Sequence, residues 1–351
     1  MPAPAKSKPA APAGKPAPVA APVPAPAAAP RKAPAKKPAK APAHAPSRPD
    51  ARVIAFMNQK GGVGKTTTVV NIAAGLAARG RSVLLVDMDP QGHSTLHLGV
   101  DPGSRERSVY DVLLDPEADP LDALVAALRP NLSLLPAEVD LAGVEIELGD
   151  TPDRNSRLTR ALAPLKQAYE FILIDCPPSL GALTLNALAA AREVIVPMQA
   201  QFLALQGLSK LLETVGLVSA QVNPRLKVSG VVLCMHDENT RHSREVVADL
   251  ENFFEGSRTQ SVAWWAARLY RPAVRRSVKL AESPSFGQTI FEYAPASTGA
   301  HDYQELADEL IREWDTLLGK EPPAGASTLA AEPPAPTVVV REAAAVVTAK
   351  A

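Results

Sequence analysis

The chain has 351 residues, with 37 Lys and Arg balancing 37 Asp and Glu, and two cysteines. That length holds one large domain or two smaller ones. The cysteines, Cys176 and Cys234, are too far apart for a CxxC site, and no run reaches the roughly eighteen apolar residues of a membrane span.

Residues 1–50 carry fifteen of the 35 prolines, interleaved with alanine and lysine, and nine Lys or Arg against the single acid Asp50. So few large apolar side chains cannot offset the ordering entropy of a fold, which predicts a disordered, partly polyproline-II basic tail. It has neither the apolar h-region of a secretory leader nor the unbroken amphipathic helix of a transit peptide. A flexible basic arm suits an anionic partner such as DNA or an acidic protein surface, or serves only as a solubilising tail. From Glu321 onward the chain is again rich in Pro and Ala, so the folded part is expected over 51–319 and a second disordered tail over 320–351.

Within 51–319, short β-branched and apolar runs at 53–56, 83–86, 132–135, 171–174, 194–196 and 228–233 predict buried parallel strands. Helical patterns at 67–79, 139–148, 157–169, 183–191, 205–221 and 243–254 separate most of them. A closing amphipathic helix is expected at 302–318, with Leu306, Leu310, Trp314 and Leu317 on one side. This alternation predicts an α/β fold, a doubly wound and mostly parallel sheet with helices on both faces of one core. The paired Trp264 and Trp265 are expected to pack their loop onto the body. His93 and His97 stand four apart with no third metal ligand near them.

The first strand runs into Asn58-Gln59-Lys60-Gly61-Gly62-Val63-Gly64-Lys65-Thr66-Thr67-Thr68, and a helix follows. Strand, glycine loop and helix make a phosphate cradle: glycines let backbone N–H groups turn inward, and the helix N-terminus adds partial positive charge. Nucleotide contacts are therefore expected from Gly61, Gly62, Val63, Gly64, Lys65, Thr66 and Thr67. Lys65 is then expected to reach the terminal phosphates and the Thr66 hydroxyl to take a Mg²⁺ coordination site. Lys60 is unnecessary for folding such a loop. Two further strands end in acids, Asp87 with Asp89 just beyond it, and Asp175. An unpaired carboxylate there would be costly, so each needs a partner or a metal. With a phosphate loop present, Asp175 is expected to hold Mg²⁺ through water.

Lys60-Gly61-Gly62-Val63-Gly64-Lys65-Thr66-Thr67 resembles the deviant Walker A loop of the ParA/MinD superfamily. The segments from Val83 to Gly92, from Asp175 to Leu188 and from Ser277 to Gly287 are similar to the Soj/ParA branch. The resemblance covers about residues 52 to 318. It implies a P-loop ATPase in which Lys60 reaches across a dimer interface to the partner subunit's nucleotide. It also implies that Asp89 orients the attacking water, with Asp87 behind the Mg²⁺ site or near Lys65. Lys60, Lys65 and Asp89 are the expected catalytic residues, and ATP and Mg²⁺ the expected ligands.

Basic residues gather late in the folded part, as sequence-independent contacts to DNA phosphates require. Lys279, Arg276, Arg275, Arg271 and Arg241 are the expected DNA contacts. The resemblance matches Lys279 and Arg276 directly, whereas Asn239 stands at the family's other basic position and Arg241 follows two residues later. The same resemblance implies a cytoplasmic, nucleoid-associated protein whose ATP-bound homodimer binds double-stranded DNA non-specifically. A ParB-like or other activating protein would stimulate weak hydrolysis, and chromosome or plasmid partition would be the use. Placement of the division site or another assembly by the same cycle stays open. A MinD-like membrane regulator would need a terminal amphipathic helix that the Ala-rich end does not provide. The nitrogenase iron protein would need cluster cysteines.

Overall fold

The architecture comes from a computed structural model that describes residues 50–201, 204–238 and 240–320. The expected tails lie outside the described residues, apart from Asp50 and Lys320, as does Asn239. Eight strands form one sheet: β1 (Arg52–Phe56), β2 (Val83–Asp87), β3 (Val125–Arg129), β4 (Leu132–Leu135), β5 (Phe171–Asp175), β6 (Glu193–Met198), β7 (Lys227–Leu233) and β8 (Arg268–Leu269). Their order is β3-β4-β2-β5-β1-β6-β7-β8. All neighbours are parallel except β3 against β4.

The central strands are apolar at successive positions because both faces are covered. Val53 and Ala55 of β1 join Leu84, Val86, Ile172 and Ile174 in one core cluster, while Ile54 and Phe56 join Val83, Leu85, Phe171 and Leu173 in the other. The helices are α1 (Lys65–Ala78), α2 (His93–His97), α3 (Val109–Leu114), α4 (Pro120–Ala123), α5 (Val144–Leu148), α6 (Arg157–Leu162), α7 (Ala182–Ala190), α8 (Ala204–Gln221), α9 (Arg241–Ser257), α10 (Val278–Glu282), α11 (Ile290–Tyr293) and α12 (Thr298–Leu317). Helices α3 and α5 to α9 contribute to the first cluster, and α1, α11 and α12 to the second.

Several expected bounds change for local reasons. Thr240 and Ser297 cap α9 and α12 by accepting from the N–H groups of Ser243 and Ala300, so both helices begin before the expected positions. The 157–169 helix stops at Leu162 and passes into a 3₁₀ turn containing Pro164, and the 139–148 helix is a 3₁₀ turn followed by α5. On α12, Leu306, Leu310 and Trp314 are buried as expected, but Leu317 is 53% exposed and the capping residue Leu318 packs against the core in its place. Trp264 packs against the core beside Gly216. Strands β3 and β8 were not foreseen: β3 is half-exposed at the sheet edge and β8 has only two residues.

The N-terminal end of the sheet holds a buried ion network. The Arg52 guanidinium donates to both carboxylate oxygens of Glu193, to Glu313 and to the Leu310 carbonyl. Ser229 donates to Glu193 as well. Burial alone would raise the Glu193 carboxyl, but the charge and hydrogen bonds of Arg52 hold it down at about 2. Removing one partner strands a buried charge, so Arg52→Ala is expected to lower stability by about 3–5 kcal/mol in urea titration. The depressed carboxyl adds a pH dependence of definite sign. Its contribution is complete above the unfolded value of 4.5 and is lost as pH falls from there towards 2, which acid titration of unfolding will read.

Candidate nucleotide-binding site

β1 lies between β5 and β6, and α1 carries the chain from β1 over β5 to β2. The chain later leaves β5 towards β6, so the crevice at the carboxyl ends of β1 and β5 is the switch point where open α/β sheets bind ligands. The glycine loop sits there. Gly62 and Gly64 have φ of +69° and +94°, conformations that side chains disfavour, and nothing stands within 4 Å of where a Cβ on Gly61 or Gly62 would project. Gly64 also caps α1 without any side-chain hydrogen bond, leaving first-turn N–H groups for an anion.

Parallel register places Asp87 beside Asp175, and Asp175 beside Phe56 at the end of β1. Lys65 Nζ lies 2.6 Å from Asp175 Oδ1. The Thr66 hydroxyl donates to Asp175 Oδ2 at 2.8 Å, and so does Ser94 Oγ. Burial works against the Lys65 charge, but the Asp175 carboxylate and its hydrogen bond outweigh it and raise the lysine above its ordinary value. Asp89 is buried with Oδ2 3.9 Å from Lys65 Nζ, and its other oxygen accepts from the Gln91 N–H. The structure thus gathers Lys65, Thr66, Asp89 and Asp175 around one point beside the open glycine turn. Oxygen donors from Thr66 and Asp175 suit a hard divalent cation such as Mg²⁺, and the uncapped helix start and Lys65 suit a polyphosphate.

Asp87 takes a different place. Its oxygens accept from the N–H of Asp89 and from both the N–H and hydroxyl of Thr95, so it shapes the loop that carries Asp89. Burial and the neighbouring Asp175 charge push its carboxyl up to about 7, against the opposing effect of the Thr95 bonds. Ser94 and Thr95 escaped the sequence reading. Their only signal is position, one residue beyond Asp89-Pro90-Gln91-Gly92. Thr67 lies in the first turn of α1, where its carbonyl accepts from Asn71.

Lys60 stands apart. It is exposed and its Nζ meets Gln201 Oε1, while Gln199 donates to the Gly62 carbonyl at 3.1 Å. The two lysines of one loop therefore point to different uses, Lys65 inward and Lys60 outward.

Arg271, Arg275, Arg276 and Lys279 follow β8, whereas Arg241 begins α9 before it. Arg271 pairs with Glu251, Lys279 with Glu282, and Arg241 on α9 with Glu245. Arg275 is held more firmly, since both its guanidinium and its backbone N–H bond to the buried Asp302. Arg276 is exposed, and no carboxylate comes within ion-pair distance of it among the described residues. No helix among the described residues is long and apolar enough to cross a membrane.

The fold, the glycine loop and the acids at the strand ends define a P-loop nucleotide-binding protein. A family model described as an AAA domain matches residues 51–228. The sporulation initiation inhibitor protein Soj of Bacillus subtilis is 46% identical over 259 residues, spanning 74% of this chain and 98% of that protein. The chromosome partitioning protein ParA of Caulobacter vibrioides is 44% identical over 267 residues, 75% of this chain and 96% of its own. The chain belongs to the ParA/Soj family of P-loop ATPases. Among solved structures, one named cobyrinic acid a,c-diamide synthase from Mycobacterium smegmatis, with bound ATP analog and magnesium, is 41% identical with a TM-score of 0.64. The match covers 76% of this chain and 96% of that one. The cell division ATPase MinD of Pyrococcus furiosus is 26% identical with a TM-score of 0.58, covering 75% and 99%.

Both cysteines border the site without serving it. Cys234 Sγ lies 3.3 Å from the Thr68 hydroxyl and Cys176 follows Asp175. Burial pushes the Cys176 thiol up to about 12 and that of Cys234 up to about 11. The thiolate is the reactive form. A thiol-titrating disulfide reagent at pH 8 is therefore expected to label neither cysteine in the native chain and both after denaturation.

Proposed function

We propose that this chain hydrolyses ATP as a timed switch, its ATP-bound dimer binding DNA without sequence preference to position a cargo on the nucleoid. Chromosome or plasmid partition is the proposed use, and the name of the chromosome partitioning protein ParA of Caulobacter vibrioides favours the first. The observation that carries this reading is the contrast between Lys65 and Lys60. One is buried against Asp175, and the other is exposed at the rim of the same loop.

In the proposed cycle Lys65 exchanges its bond to Asp175 for the terminal phosphates of ATP. Thr66 and Asp175 would hold Mg²⁺, Asp175 through water, and the ion would supply charge neutralisation across the phosphates. Asp89, in reach of Lys65, orients the attacking water; it need not be a strong base, because phosphoryl transfer depends mostly on positioning and charge. Lys60 reaches the phosphates of the other subunit, so ATP becomes a link between two chains. Hydrolysis, slow alone and stimulated by a ParB-like activator, then sets the lifetime of the dimer. The cycle places the protein in the cytoplasm on the nucleoid.

The DNA surface in this reading centres on Arg276, Lys279 and Arg271, joined by Arg241. The pairs at Lys279, Arg271 and Arg241 are exposed and weakened by solvent and salt, so DNA phosphates displace the carboxylates readily. Arg275 contributes less, because its partner Asp302 is buried.

Three substitutions test the cycle. Lys65→Gln is expected to abolish ATP binding and ATP-dependent DNA binding. Asp89→Ala should keep both and lower turnover by about 10²-fold or more. Lys60→Ala should bind nucleotide but stay monomeric in light scattering with ATP. Turnover at the wild-type rate in Asp89→Ala, or normal dimerisation of Lys60→Ala, would contradict the mechanism.

A further inference from the structure

The loop that follows Asp89 is joined to the surface that carries Lys279 by one side chain. Helix α2 begins at His93, and its first residues are held by the acids of the site, Ser94 on Asp175 and Thr95 on Asp87. At its other end, Leu98 and Gly99 meet the chain leaving α10 through the 3₁₀ turn Ser283–Phe286. Gly99 and Gly287 pack backbone to backbone. A Cβ on Gly287 would stand 2.8 Å from the Gly99 Cα, and one on Gly99 would stand 3.2 Å from the Gly287 carbonyl oxygen. Both residues have positive φ, +79° and +63°. Close approach and conformation both demand glycine there.

Arg129, the last residue of β3, spans this contact. Its Nη1 donates to the Leu98 carbonyl at 3.1 Å and its Nη2 to the Gly287 carbonyl at 2.9 Å, while Nε meets Glu292 Oε1 at 2.8 Å. Glu292 in turn accepts from the Thr289 N–H and hydroxyl at the start of α11. A guanidinium is a planar fork, so the two carbonyls are held at a fixed separation and cannot slide independently. His97 is buried in α2 beside the Gln288 backbone. Beyond Gly287 the frame is continuous with the basic surface. Phe286 stacks on Tyr293 at 5.0 Å, and Lys279 lies over the same ring.

We infer that Arg129 is a positioning residue that couples the Asp87/Asp175 end of α2 to the 278–293 surface, so that rearrangement of the acids on nucleotide binding changes the setting of Lys279. The five-residue helix α2 acts as a short rigid strut, fixed by hydrogen bonds at both ends, and supplies the discrete element that coupling between two sites requires. This rests on the nucleotide reading of the site and is independent of DNA binding.

Hydrogen–deuterium exchange of residues 278–293, with and without ATP and Mg²⁺, tests the coupling while nucleotide affinity is measured on the same protein. In the wild type, exchange there is expected to change several-fold on adding nucleotide. Arg129→Gln should bind nucleotide with similar affinity and lose that response. Arg129→Lys keeps the charge without the fork, and it carries the test if the glutamine variant does not fold; its response should be less than half of normal. Lowered thermal stability with an intact response would reduce Arg129 to a structural role and overturn the inference. So would a wild type that binds nucleotide while 278–293 stays silent. A wild type whose 278–293 segment responds but which binds no DNA would instead overturn the partition reading and leave this coupling standing.

Discussion

Asp175 ends a strand covered on both faces, and its side chain is cut off from water. A carboxylate in that position must be met by protein donors, or its desolvation would destabilise the fold. The three donors come from two places in the chain: Lys65 and Thr66 at the start of α1, and Ser94 at the start of α2. This one requirement draws the glycine loop, the Asp89 loop and β5 to the same point. The arrangement that satisfies the carboxylate is also the one that can take a polyphosphate and a divalent cation, because the same donors and oxygens can exchange partners.

The opposite end of the sheet is built on a different principle. Arg52 and Glu193 lie on adjacent strands, and Glu313 and the Leu310 carbonyl bring in α12, so the buried charges there have a complete set of partners. Nothing at that end is free to exchange. The molecule thus separates a closed ionic network, which fixes β1 and β6 against α12, from an exchangeable one at the carboxyl ends of the strands. The position of Lys65 between Asp175 and Asp89 belongs to the second kind.

Charge placement on the surface repeats this distinction. Lys60 and Arg276 are exposed, and Arg271, Lys279 and Arg241 are held only by exposed acids that solvent and salt weaken. Arg275 is anchored on a buried aspartate, and Arg129 is largely sheltered with both neighbouring carbonyls engaged. Residues of one chemical type therefore divide into contacts available to a partner and contacts that hold the frame. For Arg275 the burial of its acid decides this, and for Arg129 the two carbonyls to which it donates.

The glycine loop, the acids ending β2 and β5, and the alternating α/β pattern were legible in the amino-acid sequence because their signals are local. Strand runs, loop glycines and the helix that follows lie within a few residues of one another, and the resemblance to ParA and Soj rests on those same segments. The edge strand β3 was not legible, since its residues are half-exposed and carry no clear period, and Arg129 was invisible with it. The three donors on Asp175 and the pairing of Arg275 with Asp302 were equally hidden. Lys65 and Asp175 lie 110 residues apart, and Arg129 and Gly287 lie 158 apart. Such contacts follow from strand order and register, which only the packed sheet decides, because no short-range preference in the chain specifies which distant acid or carbonyl a given cation will meet.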